Sequence, residues 1–300
     1  MIVRHDRLVL TLPVYNEARF IERTVRSVLA QTDDDFAVLV TDNASTDGTG
    51  DIVRDLTAGD PRFRYHRHAA NGGASFNFKF AMDQGDSPFF MWLGGHDRIT
   101  PGYVRTHLSA LVERPEHSLS YSLVDRIDED DRSIKTFDPS KLATITGTPV
   151  QRYLKSVRQL ADCTAINQML RRSATVGTRL SSVVSTDHVF LSHLLFHGPA
   201  HLDTGERYFR RQFIGTRDDY MFRLSGKRGI KPDRSGAIAA YLEDFAALPL
   251  PADERARALP RLRRALSRNF EWERWPDRWA EIQLRRLHRR IKARLAAARA

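Results

Sequence analysis

The run Phe89 to Pro101, FFMWLGGHDRITP, has the residue types and spacing best suited to chemistry. Five apolar residues, Phe89 to Leu93, have the composition of a strand buried on both faces. Gly94-Gly95 then free the backbone to turn sharply, and His96 and Asp97 follow on the loop before Pro101. Open α/β sheets bind ligands beyond the carboxyl ends of their strands. An imidazole and a carboxylate delivered there could hold a divalent cation. A solvated turn in which His96 and Asp97 cap the next helix would use the same residues, and this stretch alone leaves both readings open.

The elements that must position this loop alternate along the first hundred residues. Leu8 to Leu12 reads as a buried strand stopped by Pro13, with Tyr15-Asn16-Glu17 in the turn after it. Phe20, Ile21, Val25, Val28 and Leu29 recur at helical spacing. Ala37 to Val40 is a second apolar run, closed by Asp42-Asn43-Ala44-Ser45-Thr46-Asp47-Gly48, where Thr46 or Asp47 is placed to cap a helix. Phe63 to Tyr65 suits a third strand, and Asn71-Gly72-Gly73 a turn into a helix bearing Phe76, Phe80 and Ala81. This alternation predicts βαβ units and an α/β fold with a mostly parallel sheet flanked by helices. No Gly-x-Gly-x-x-Gly turn follows the first strand and no Walker loop is present, so a nucleotide would be held mainly by side chains and a metal.

Composition narrows the class. The chain has 300 residues, long enough for a sizeable core, with 41% hydrophobic and 28% charged residues. A single cysteine, Cys163, excludes an internal disulfide framework and fits a reducing compartment. MIVRHDR leads straight into a strand-like run, which predicts no secretory signal, and no apolar run reaches membrane-spanning length. These features predict a cytoplasmic protein. The net charge of +10 is concentrated at one end: Pro251 to Ala300 holds 15 Arg and Lys against 6 Asp and Glu. The basic character therefore belongs to a tail rather than to the body, and no recognised nucleic-acid-binding module accompanies it.

Taken in order, Pro13-Val14-Tyr15-Asn16-Glu17, Ser27-Val28-Leu29-Ala30-Gln31, Thr41 to Thr49, Asp60-Pro61-Arg62, Asn71-Gly72-Gly73 and the loop before Pro101 resemble the family 2 inverting nucleotide-sugar glycosyltransferases of the GT-A fold. The resemblance covers roughly the first 110 residues and is looser from Pro149 onward. It implies that Asp42 accepts from the imide N–H of a uracil, a hydrogen bond strengthened by its charge. Tyr15 would lie against the base, Pro13 and Glu17 would shape the pocket, and Asn71 is a weaker nucleotide-binding candidate. Helix capping by Asp42 and Asp47 is the competing structural role.

The metal loop departs from the family's Asp-x-Asp pattern. The corresponding run is Gly94-Gly95-His96-Asp97: the first acid is missing, and His96 falls on or next to the position of the metal-binding acid. The implied cofactor is a divalent metal held by His96 and Asp97, Mn2+ favoured over Mg2+ because one donor is nitrogen. The rival is a loop that has lost its metal, with Arg or Lys meeting the donor's charge. The family also places a general base at the start of a helix in its second half. Here Ser185-Thr186-Asp187-His188 precedes the apolar face Val189 to Phe196, making Asp187 the implied base. Its structural alternative is a first-turn acid at the helix N-terminus. Arg210-Arg211 would flank the diphosphate or form a solvated basic edge, and Asp125 to Asp131 reads as an exposed acidic loop.

The tail reads as helices, with Trp279, Ile282, Leu287, Ile291 and Leu295 in one stripe and arginines around it. Such a basic amphipathic helix suits the inner face of an anionic membrane, or packing on the body or a second subunit. The expected organisation is a GT-A domain over residues 1–235 and a basic helical extension over 236–300. The expected activity is metal-assisted inverting transfer from a nucleotide-sugar donor, UDP-linked rather than GDP- or dTDP-linked, to a glycan or lipid-linked acceptor. The expected alternative is a non-catalytic scaffold that kept the fold while the loop acids drifted. Nucleic acid is not an expected partner, and the oligomeric state is not readable from the chain.

Overall fold

A computed structural model describes residues 1–160, 162–178, 186–213 and 234–269. The stripe from Trp279 to Leu295, and Ser185, lie outside the described residues. The strands are β1 (Val3–Arg4), β2 (Leu8–Val14), β3 (Ala37–Asp42), β4 (Phe63–Arg67), β5 (Gly85–Asp86), β6 (Phe89–Trp92), β7 (Arg98–Ile99), β8 (Leu119–Ile127), β9 (Ser133–Phe137), β10 (Met169–Arg171) and β11 (Ala200–Arg211). The helices are α1 (Ile21–Leu29), α2 (Thr49–Leu56), α3 (Ala74–Gln84), α4 (Tyr103–Glu113), α5 (Pro149–Gln159), α6 (Thr186–His197), α7 (Arg234–Ala247) and α8 (Ala252–Asn269).

The main sheet runs in the order β4-β3-β2-β6-β10-β8-β11-β7, with β9 added against β8. Its first half, β4 to β6, is parallel, as the βαβ alternation predicts. Beyond β6 the sheet becomes mixed, because β10 pairs antiparallel with both β6 and β8 while β11 runs parallel to β8.

Both faces of the sheet are covered, which is why β6 reads as an unbroken apolar run. Side chains alternate along a strand: Phe89, Met91 and Leu93 join the cluster containing Val25, Val28, Val104 and Leu108, while Phe90 and Trp92 join the one containing Phe190, Leu191 and Leu194. A third cluster joins α5 and α6 to the C-terminal helices through Tyr153, Val189, Tyr241, Phe245, Leu262 and Leu266. Within it, the buried His193 Nδ1 lies 2.8 Å from Asp244 Oδ1, and Tyr153 Oη donates to Asp244 Oδ2 at 2.9 Å. His193 Nε2 faces the Val176 carbonyl at 3.0 Å, so both ring nitrogens meet acceptors.

Strand β11 carries one irregularity. Asp203 pairs with Ser122 and Arg207 with the next residue, Leu123, so Thr204, Gly205 and Glu206 loop out of the ladder. Asp203 Oδ1 accepts from the N–H groups of Gly205 (2.9 Å) and Glu206 (2.8 Å), closing the excursion. Past it, β11 lies between β8 and β7.

Candidate active site

Parallel strands with matched ends deliver their following loops to one edge. Val14 stands opposite Asp42, and Thr11 opposite Trp92, so the loops after β2, β3 and β6 emerge together. The first two are laced by backbone N–H groups donating to short side chains. Asn16 N donates to Ser45 Oγ at 2.9 Å, Glu17 N to Thr49 Oγ1 at 2.8 Å, and Ala18 N to Asp47 Oδ2 at 2.9 Å. In return Thr46 N donates to Asn16 Oδ1 at 2.9 Å. Asn16 (φ 52°) and Ala44 (φ 63°) adopt the left-handed region, which asparagine accepts more readily than alanine, and these cross-bonds hold it. The cap expected from Thr46 or Asp47 is instead Gly48 (φ 93°). Asp47 Oδ1 accepts from Thr49 N at 3.0 Å. Burial raises its carboxyl, but bonds from Thr49 and Ala18 outweigh this and hold it below the usual range.

The nucleotide-binding candidates all gather at this edge. Pro13 is buried at the end of β2, and Tyr15 is 39% exposed in the turn. Asp42 is buried; its Oδ1 accepts from Ser45 N at 2.8 Å and its Oδ2 from Tyr65 Oη, with Arg67 Nε 3.9 Å away. Burial, then the Asp42 charge, pushes the Tyr65 phenol up, so it remains a donor. Asn71 Oδ1 accepts from Asn43 Nδ2 and Gly73 N, both at 2.7 Å, while Asn43 Oδ1 accepts from Gly72 N at 2.9 Å. Asn71 therefore fixes the approach to α3. Tyr65 and Arg67 were not apparent from the sequence; the signal was their register on the strand beside Asp42, with Arg67 opposite it.

The side chain of Glu17 turns to the third loop. Its Oε1 lies 2.8 Å from His96 Nδ1, and His96 Nε2 lies 3.9 Å from Asp97 Oδ1. Asp97 is buried, its Oδ2 accepting from Tyr208 Oη at 2.7 Å and its Oδ1 from Arg211 N at 2.8 Å. A carboxylate offers about four lone-pair sites, so two remain. A Cβ at position 94 would come within 2.9 Å of Asp97 Oδ2, so in this loop an acid there would crowd the one that follows. The donor types fit a divalent cation: the Glu17 carboxylate on Nδ1 orients the imidazole, with Nε2 on the side of an Asp97 oxygen.

Two expectations need correction here. Arg211 is no solvated edge: its side chain is 1% exposed, and its Nε donates to the His96 carbonyl at 3.0 Å. Its remaining nitrogens reach Asp128 O and Asp131. Nor is the acidic run simply exposed. Asp131 also pairs with Arg23 (3.0 Å) and Arg98 (3.4 Å), and Glu129 pairs with Arg19. Arginines distant in the chain draw this loop onto the back of the His96 turn.

Asp187 lies in the first turn of α6, where its Oδ1 accepts from His188 N at 2.9 Å. It is grouped with Cys163 and His188, the ligand-capable atoms of all three lying within 4.8 Å of one another. Two chains of contact tie this group to the His96 loop. Phe190, one turn along α6, packs its ring 5.3 Å from that of Trp92, the last residue of β6. Next to Cys163, Asp162 pairs with Arg126 (2.8 Å) and Arg210 (3.5 Å), and Arg210 precedes the residue whose N–H holds Asp97. Burial raises the Asp162 carboxyl, but Arg210, Thr164 and Arg126 pull it below its usual range.

The sequence profile described as glycosyl transferase family 2 matches residues 10–176, more than half of the chain. The chain belongs to glycosyl transferase family 2. Residues 1–349 of S. aureus TarS, solved in complex with UDP-GlcNAc, share the fold of this family 2 chain. Their TM-score is 0.63 at 15% identity, covering 89% of this chain and 74% of that one. TuaG of Bacillus subtilis (strain 168), provisionally assigned to teichuronic acid biosynthesis as a glycosyltransferase, is 25% identical over 164 residues, 55% of this chain and 58% of its own. A GalNAc(5)-diNAcBac-PP-undecaprenol beta-1,3-glucosyltransferase of Campylobacter jejuni is 24% identical over 125 residues, 40% of this chain and 39% of its own. The chain thus spans less than two thirds of these curated relatives. Family 2 enzymes often use a divalent metal. Among the described residues, no helix is long and apolar enough to cross a membrane.

Proposed function

We propose that this family 2 chain transfers a sugar, with inversion, from a UDP-linked donor to a hydroxyl of a glycan or lipid-linked acceptor in polysaccharide biosynthesis. The observation that carries this reading is the convergence of the loops after β2, β3 and β6, with Glu17 bridging the first to His96 on the third. Support for the donor comes from TarS, solved with UDP and with UDP-GlcNAc, and for the acceptor from the relative named for an undecaprenol-linked substrate.

In this reading Tyr15 offers an exposed ring to the base and Asp42 receives the imide N–H, with Tyr65 and Arg67 setting the orientation and charge of its carboxylate. Pro13 and Asn71 shape the pocket walls. His96, through Nε2, and Asp97 would hold a divalent cation, Mn2+ before Mg2+, which supplies charge neutralisation at the departing diphosphate. Glu17 keeps the imidazole in the tautomer that leaves Nε2 unprotonated. Asp187 takes the proton of the acceptor hydroxyl as it attacks the anomeric carbon. Residues 1–235 form the catalytic domain and 236–300 a basic extension. The exposed α8 arginines Arg257, Arg261, Arg264 and Arg268 lie three or four residues apart, a spacing that aligns them along one side for anionic lipid at the inner membrane face.

A second reading, a nucleotide-binding scaffold without turnover, is favoured by one observation: both Asp97 oxygens already accept internal hydrogen bonds. The deciding experiment is a thermal-shift panel of nucleotide sugars with and without Mn2+, followed by donor-hydrolysis and transfer assays on those that stabilise the chain. Metal-dependent stabilisation by UDP-sugars together with turnover is the expected result. Stabilisation without hydrolysis or transfer selects the scaffold.

A further inference from the structure

Cys163, Asp187 and His188 present a sulfur, a carboxylate oxygen and an imidazole nitrogen, all within 4.8 Å of one another. The three come from two separately anchored places. Cys163 is buried between Asp162, which Arg126 and Arg210 clamp, and the short 3-10 helix Thr164–Asn167. Asp187 and His188 open α6, which Phe190 seats against Trp92 of the sheet. Ligands supplied by rigid elements bind more tightly than ligands on loops, because less order is lost on binding.

The donor types choose the ion. Sulfur with imidazole and one carboxylate is the set preferred by borderline-soft cations, Zn2+ foremost, and three protein ligands leave a position for water. The His96–Asp97 pair offers only nitrogen and oxygen. We propose that Cys163, Asp187 and His188 form a second cation site, for a Zn2+-class ion, whose occupancy withdraws the Asp187 carboxylate from the acceptor hydroxyl and so shuts off transfer. The effect on transfer rests on Asp187 being the general base; the binding of the ion does not.

Binding displaces one proton. Burial, and after it the charges of Asp187 and Asp162, keep the Cys163 thiol protonated in the absence of metal. The ion bonds to the sulfur as the thiol proton leaves to solvent, and no oxidation state changes. Thiolate and carboxylate then match the two positive charges.

The single cysteine makes the test direct. Co2+ titrated into the full chain should give a thiolate-to-cobalt charge-transfer band at one equivalent, and that sulfur can come only from Cys163. Zinc should abolish the band. Cys163→Ala and Cys163→Ser should both lack it, and His188→Ala should weaken binding by at least the loss seen for second-sphere partners, about 10- to 100-fold. In transfer assays, each variant normalised to its own zinc-free rate, half-inhibition should need about tenfold more Zn2+ or greater in both Cys163 variants. No sulfur band on the unmodified chain, or zinc sensitivity in both Cys163 variants equal to that of the unmodified chain, overturns the proposal. A band on the unmodified chain, together with full turnover in Asp187→Asn, upholds the metal site, removes its effect on transfer and sinks the base assignment alone.

Discussion

The loops at the ends of β2 and β3 and the group around Asp187 are fixed by different means. The first are tied by backbone N–H groups to the short side chains of Asn16, Ser45, Asp47 and Thr49, within some thirty residues of sequence. The second is tied by long-range side-chain pairs: Arg126 and Arg210 on Asp162, and the His193–Asp244 pair that seats α7 on α6. Local lacing depends on backbone geometry that few changes disturb. A cross-chain clamp depends on each partner, and removing one leaves a buried charge exposed to no compensating group.

That contrast can be broken most forcefully at Asp187. Asp187→Asn should lower kcat by about 10^2- to 10^4-fold while leaving the donor Kd unchanged, as read by steady-state kinetics beside calorimetric titration of UDP. A matching loss of donor affinity would mean that the two regions are not separable. Next in size is Asp244→Ala, which leaves His193 between the Val176 carbonyl and a void. It should cost about 3–5 kcal/mol in urea unfolding, the usual penalty for one half of a buried pair. Glu17→Gln acts within the laced region. It should weaken Mn2+ binding by about 10- to 100-fold with little change in stability, because the imidazole loses its orienting carboxylate.

A further test concerns pH. His107 is buried with Nδ1 2.8 Å from Ser120 Oγ, and burial lowers its pKa to about 3. The unfolded state takes up a proton near the ordinary value of about 6.5 while the folded state does not. The contribution to stability is therefore complete above that pH and is lost progressively as pH falls toward the folded value. Urea midpoints from pH 7 to pH 4 should decline, and His107→Gln should flatten the decline. A parallel decline in both proteins would assign it to other groups.

The loops after β2, β3 and β6 were legible because their signals are local. Apolar runs ending in PVYNE, TDNASTDG and GGHD mark strand ends and turns, and a parallel sheet brings those turns together without further information. Position Asp187 could be found from the helix it begins. Its neighbours could not, since nothing in the spacing of Asp162, Cys163, Arg210 and Asp187 announces that they meet. The acidic run Asp125 to Asp131 misled for the same reason: its arginine partners lie on α1, β7, β11 and the turn before α1. The contacts of Tyr208 and Arg211 with the His96 turn were hidden because a strand's register against the loop of another element is not written in either one.

The looped-out residues Thr204, Gly205 and Glu206 give this molecule an unusual fragility to changes in length. Arg210 and Arg211 are neighbours on one strand and so face opposite sides of the sheet, one toward Asp162 and the other toward the His96 turn. Deleting a single residue from the excursion, if the strand slid to compensate, would exchange those two faces at once. A change that the excursion absorbs would leave both faces as they are; one that shifts the ladder would be felt at two places on either side of the sheet.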